Sequence, residues 1–146
     1  MSPDSTAAPA GIAIEPATPD DRLDALRVLD AAMLETDAES VDTAITAGDA
    51  LVARFARTDA VVGALVATRP EAGRLHVDAV AVRRARRGRG IGSALVAEAI
   101  RRAKGDSDVD AVTAAFVPRL EGFYADLGFA IGGTSEGDRL CGRRQV

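Results

Sequence analysis

The chain has 146 residues, 47% of them hydrophobic but only 3% aromatic, so one domain's core has to be built from Ala, Val, Leu and Ile. A formal charge of −4 excludes general nucleic-acid binding by the whole domain. The single cysteine, Cys141, excludes an internal disulfide and a cysteine-based zinc cluster, and no apolar run reaches the ~18–20 residues of a membrane span. A soluble cytoplasmic protein is expected, with no metal and no membrane partner.

Residues 1–10 (MSPDSTAAPA) are small, polar and proline-bearing and read as a disordered tail, with the folded domain at 11–146. Residues 11–15 (GIAIE) alternate as a short first strand. Thr18-Pro19-Asp20-Asp21 has the form of a helix start, with a capping hydroxyl, a proline at the first helical position and acids in the first turn. That helix is expected to run to Leu34, followed by a weaker helical segment over 37–48. Residues 50–56 (ALVARFA) and 60–68 (AVVGALVAT) predict a hairpin about Arg57-Thr58-Asp59. A turn is expected over 70–73 (PEAG), then a further strand over 74–82. The amphipathic pattern of 91–104 predicts a helix with Leu95, Val96, Ala99, Ile100 and Ala103 on one face, stopped by Gly105. Residues 110–117 (DAVTAAFV) are almost wholly apolar, as a doubly covered strand is. A strand, a crossover helix and a buried strand imply a parallel pair with a right-handed connection. A short helix over 119–127 is expected to end at Gly128 in the left-handed conformation, and 129–133 with 139–146 predict a last hairpin. The fold class is therefore α+β in layers, with a mixed, mostly antiparallel sheet of six to seven strands, a parallel pair at its centre and about four helices.

The most informative stretch joins the strand at 74–82 to the helix at 91–104. It holds Arg83, Arg84, Arg86, Arg87 and Arg89 together with Gly88, Gly90 and Gly92. A glycine loop at a helix start aims free backbone N–H groups at one point, at the positive end of the helix dipole. Glycine also lets a ligand approach the backbone closely. The dinucleotide fingerprint fails because Ser93 stands where a third glycine is needed, and no Gly-Lys-Ser/Thr of an ATP loop occurs. A basic turn on an acidic chain, without interleaved aromatics, suits a small polyphosphate better than a nucleic acid.

Those residues carry a resemblance. Arg87-Gly88-Arg89-Gly90-Ile91-Gly92 resembles motif A of the GNAT N-acetyltransferase superfamily, Arg/Gln-x-x-Gly-x-Gly/Ala. Phe123-Tyr124-Ala125-Asp126-Leu127-Gly128-Phe129 is similar to its motif B, Phe-Tyr-x-x-x-Gly-Phe. The motifs stand in the family's order, and the resemblance covers residues 11–146. It implies acetyl-CoA as co-substrate. The coenzyme A (CoA) diphosphate is then expected on Arg87, Gly88, Arg89, Gly90, Ile91, Gly92 and Ser93, and its pantetheine arm beside Val80, Ala81 and Val82. Two positions depart from the family: Val117 stands where an Asn is common, and Leu120 where an Ala is common.

The implied reaction moves an acetyl group to a primary amine, on a small molecule or a peptide, by direct attack in a ternary complex. Tyr124, the chain's one tyrosine, is the candidate general acid for the leaving thiolate, since a phenol stays protonated at pH 7. The base is sought at Asp78 and His76, which strict alternation would set on one face of their strand; Glu71 and Glu121 are weaker candidates, and a water relay serves as well. Cys141 reads as a small buried hydrophobe. The other readings are a non-catalytic acyl-CoA-binding regulatory module and a small nucleic-acid binder. The last strand is free to pair across a homodimer.

Overall fold

Alternating apolar residues and glycine-marked turns produce one sheet, and the computed structural model describes it over residues 8–31, 37–134 and 136–146. Its strands are β1 (Ile12–Pro16), β2 (Ala50–Phe55), β3 (Ala60–Glu71), β4 (Gly73–Val82), β5 (Val109–Phe116), β6 (Ala130–Thr134) and β7 (Leu140–Gln145). They lie in the order β1-β2-β3-β4-β5-β7-β6. Every pairing is antiparallel except β4 with β5. The helices are α1 (Arg22–Ala31), α2 (Ala38–Ala47), α3 (Ile91–Lys104) and α4 (Glu121–Asp126).

The expected layers are present. On one face α1 and α2 bury Val28, Leu29 and Val41 against Val52, Val61, Val66, Ala79 and Ala81. On the other, α3 sets Leu95, Val96 and Ile100 against Leu65, Leu75, Val77 and Val112. The side chains are small, so strand and helix backbones come close together. A Cβ at Gly63 of β3 would stand 3.2 Å from both Ile91 and Leu95. The start of α3 is thus seated directly on the sheet.

Several boundaries differ from the sequence reading. Thr18 opens a 3-10 turn over Pro19–Asp21 before α1 begins, because the Asp21 carboxylate turns back to accept from the Thr18 N–H at 2.9 Å. Residues 32–34 of the expected helix lie outside the described residues. β3 continues through Pro70 to Glu71, so the expected turn at 70–73 shrinks to Ala72 and Gly73, with Gly73 at φ +80°. The last hairpin forms as expected, and its second strand, β7, is the one that pairs with β5.

The decisive irregularity lies in β4. Ala67 faces Val77 and Val66 faces Ala79, so Asp78 is an extra residue, a β-bulge. Before it, Leu75 and Val77 face α3; after it, Ala79 and Ala81 face α1 and α2, while Val80 and Val82 take the α3 side. The extra residue interrupts the alternation of β4 at Asp78, which stays close enough to His76 to act on the charge of its ring. The ladder with β5 reaches Val77↔Ala114 and stops there. Beyond that point the two central strands part.

Two glycines give opposite expectations. Gly63→Val forces a side chain into Ile91 and Leu95 and should cost about 1–3 kcal/mol. Gly122→Ala lies in α4 with nothing within 4 Å of its Cβ, and should add roughly 0.5–1 kcal/mol. Urea unfolding of both variants checks the pair.

Candidate active site

The turn from β4 to α3 is shaped by two left-handed glycines, Gly88 at φ +77° and Gly90 at φ +83°. Gly90 immediately precedes α3 and offers no side chain to cap it. α2 is different, since Asp37 accepts from the Ser40 N–H at 2.7 Å. The first turn of α3 also contains no acid. The N–H groups of Ile91, Gly92 and Ser93 have no acceptor within the helix. α3, the longest helix among the described residues, therefore points uncompensated donors, and its dipole, at the space before it.

That space is lined with positive charge. None of Arg83, Arg84, Arg86, Arg87 and Arg89 forms an ion pair with a carboxylate among the described residues. Two of them brace the turn: Arg83 Nε donates to the Val61 carbonyl at 2.8 Å and Arg87 Nε to that of Val82 at 3.1 Å. The Arg86 guanidinium lies 4.2 Å from the centre of the Phe55 ring. A Cβ at Gly88 would meet nothing, and one at Gly90 only Pro9 at 4.0 Å, so both positions open outward. Gly92 is helical, and its Cβ would make ordinary 3.8 Å contacts with Phe123 and Val82. Packing does not demand glycine there; its bareness leaves the groove wall low.

The groove has a volume of about 500 Å³ and runs from this turn, past the freed part of β4, to α4. It brings together Val80, Ala81, Val82, Arg87, Gly88, Gly90, Ile91, Gly92, Ser93 and Tyr124, all expected from the sequence. Arg89 is adjacent in the chain but does not line the wall. Arg86, Arg119, Leu120 and Phe123 also line it; the sequence marked Arg86, Leu120 and Phe123 without giving them a binding role, and did not mark Arg119. The signal for Leu120 and Phe123 was present: they precede Tyr124 by four and one residues on a short helix. Arg119 was legible only as a cation at the start of that helix.

Tyr124 is 3% exposed, yet it borders the groove. Its ring stacks on Phe116 at 4.2 Å and meets Phe123 and Phe129 edge-on at 4.9 and 5.3 Å. Burial pushes its hydroxyl up to about 12, so it is a neutral donor across the physiological range.

The candidate bases lie elsewhere. His76 is half-buried, and its Nδ1 shares a 2.9 Å hydrogen bond with Thr113 Oγ1. Burial lowers its pKa; Asp78 opposes this and Arg74 adds to it, so the imidazole is neutral at pH 7. It lines a second depression, of about 520 Å³, away from Tyr124's groove. Asp78 is exposed at the bulge and lines neither hollow. Glu71 is paired with Arg74 at 3.2 Å, and Glu121 is exposed. Cys141, expected to be buried, is half-exposed in the second depression.

The model of the Acetyltransferase (GNAT) family matches residues 21–129. Among solved structures, Ard1 from Thermoplasma volcanium superposes with a TM-score of 0.78 at 18% identity, covering 94% of this chain and 99% of that one. Naa50 of Arabidopsis thaliana, solved with a bisubstrate analogue of CoA, gives 0.75 at 19% identity over 94% and 100%. N-acetylglutamate synthase from Neisseria gonorrhoeae, solved with CoA and N-acetyl-glutamate, gives 0.73 at 19% identity over 93% of this chain and 35% of that one. No curated protein matches the sequence significantly.

With one tyrosine and no tryptophan, a single phenolate transition is expected in ultraviolet absorbance. It should centre near 12 in the folded protein and near 10.0 in denaturant. A proton held more tightly in the folded state means stability complete below pH 10 and lost as pH rises through 12. The loss amounts to roughly 2–3 kcal/mol at 1.36 kcal/mol per unit, and denaturant melts across that window measure it.

Proposed function

The chain belongs to the GNAT acetyltransferase family, and on that premise we propose that it moves an acetyl group from acetyl-CoA to a primary amine by direct attack. The observation that carries this reading is the uncapped start of α3, opening into a groove that has a buried, protonated tyrosine at its other end.

The residues suit the co-substrate. CoA presents a diphosphate and a third phosphate, and the turn presents three backbone donors at the start of α3 and five arginines that have no carboxylate partner among the described residues. The outward space at Gly88 and Gly90 leaves room for phosphate oxygens. Beyond Val77 the edge of β4 facing β5 has lost its ladder partner, so the backbone near Val80 to Val82 can pair with the amide groups of a pantetheine arm. Phe123 and Leu120 wall the apolar stretch.

When bound, the co-substrate supplies an activated thioester carbonyl. An amine lone pair makes the new C–N bond as the C–S bond breaks, and the departing sulfur needs a proton. Tyr124 is the candidate to give it: its ring is clamped by three aromatic contacts, burial keeps its phenol protonated, and a thiolate desolvated in the same groove gains basicity for the same reason that the phenolate does. The Tyr124 phenolate then recovers its proton from solvent or from the ammonium product. The amine must arrive neutral. His76, uncharged at pH 7, and Asp78 remain the candidate bases at the point where β4 and β5 part, with a water chain equally able to carry the proton.

Steady-state thiol release from acetyl-CoA over a panel of amines tests the activity, and calorimetry with CoA tests the groove. CoA binding without thiol release would leave the non-catalytic module; absence of binding would end both. Tyr124→Phe should keep CoA affinity and lower turnover about 10²–10⁴-fold. Gly92→Leu should keep or raise stability, since it replaces a helical glycine, while weakening CoA binding at least about tenfold by filling the groove.

A further inference from the structure

We propose that the second depression binds a carboxylate, and that the acceptor is therefore a small amine that also bears a carboxylate, amino-acid-like in type; the latter part rests on the acyl-transfer reading above. The depression is built by strand register. His76 pairs with Thr113, Thr113 with Arg143 and Arg143 with Ala130, so these four form one row across β4, β5, β7 and β6. The next row on the same face is Ala115, Cys141 and Gly132. This face is opposite α3, because the intervening residues Val112, Ala114 and Phe116 belong to the α3 core. The helices α1 and α2 pack over β2, β3 and β4 and leave the small side chains of Ala115, Ala130 and Gly132 as an open floor.

The charges at this floor are of one sign. Arg74 and Arg143 line it, and no carboxylate does among the described residues. Arg143 is exposed, has no acidic partner, and makes one long bond, Nε to Gln145 Oε1 at 3.3 Å. Arg74 gives Nη1 to Glu71 at 3.2 Å, while its Nε is buried with no hydrogen-bond partner. His76 has Nδ1 engaged by Thr113, which directs the chemistry of the ring to Nε2. On a chain of net charge −4, a concave site lined by two under-committed guanidinium groups and by no carboxylate, with Glu71 and Asp78 acting on it only from its margin, fits a carboxylate, which arginine binds through paired charge-assisted bonds.

The depression also adjoins the reaction zone. Its wall includes Ala114 and Ala115, at the point where the β4–β5 ladder ends. Phe116, the next residue, stacks on Tyr124 from the other face. From Thr113 to Phe116 is three residues, about 10 Å at ~3.3 Å per residue, a span that the extended Arg143 side chain and a small amino acid, with amine and carboxylate roughly 3–4 Å apart, cover together. A carboxylate fixed at Arg143 would leave the amine of the same molecule free to enter the gap.

His76 is the only histidine, so its imidazole proton signal in NMR needs no assignment. Full-length protein should be titrated with N-acetylalanine and N-acetylaspartate, with the primary amide of each, and with inorganic phosphate. The acids should shift the His76 signal saturably, the amides should leave it unmoved, and phosphate should act more weakly than the acids. Arg143→Gln, a change at an exposed position, should weaken the response at least about tenfold, with Arg143→Lys recovering part of it. In thiol-release assays Arg143→Gln should raise KM for carboxylate-bearing amines by a similar factor and leave kcat and CoA affinity intact. No shift with the acids, equal shifts with the amides, stronger action by phosphate or an unchanged Arg143→Gln titration would overturn the proposal. Loss of CoA binding would instead strike the transferase reading, and the carboxylate titrations would still be read on their own.

Discussion

The architecture depends on one misfit in the sheet. A single extra residue, Asp78, interrupts β4, reverses which of its side chains face which layer, and coincides with the end of the ladder to β5. An unbroken parallel pair would have sealed the centre of the molecule with backbone hydrogen bonds. The parted strands leave main-chain donors and acceptors that need partners, and the chain places a groove on one side of the gap and a depression on the other. Bulges bend and twist the strand that carries them, and here the bend makes space where two central strands would otherwise meet.

The helix beside the gap is tuned by omission. α3 lacks a capping side chain, an acid in its first turn and a side chain at Gly92. Each omission costs some folding stability, since a good cap alone is worth about 1 kcal/mol. The seating of Ile91 and Leu95 on Gly63 holds the helix in place without a cap. The arginines divide the work. Arg83 and Arg87 brace the turn through strand carbonyls, Arg86 stacks on Phe55, and Arg84 and Arg89 stay exposed. Among the described residues no acid pairs with the cluster.

Much of this was legible in the sequence. Three alternate glycines followed by an amphipathic run marked the uncapped turn before α3, and Phe123-Tyr124 with Gly128 marked the aromatic wall. The order of strands and helices followed from periodicity. What escaped was set by pairing across the chain. The bulge has no local signature, because Val77-Asp78-Ala79 reads as ordinary alternation and the surplus residue exists only relative to Val66 and Ala67. The second depression was hidden for the same reason: His76, Thr113 and Arg143 are far apart in sequence and become neighbours only through two registers. Arg119 read only as a cation before a short helix, and its place on the groove wall emerges only once that helix is packed.

The distribution of rings has one more consequence. Of five aromatic residues, Phe116, Phe123, Tyr124 and Phe129 stand together at α4, and the rest of the interior is aliphatic. The near-ultraviolet circular dichroism of the whole molecule is therefore a local signal from one wall of the groove, while the far-ultraviolet spectrum reports the sheet and helices. Loosening at that wall and loss of the scaffold separate into two wavelengths, without any label being attached.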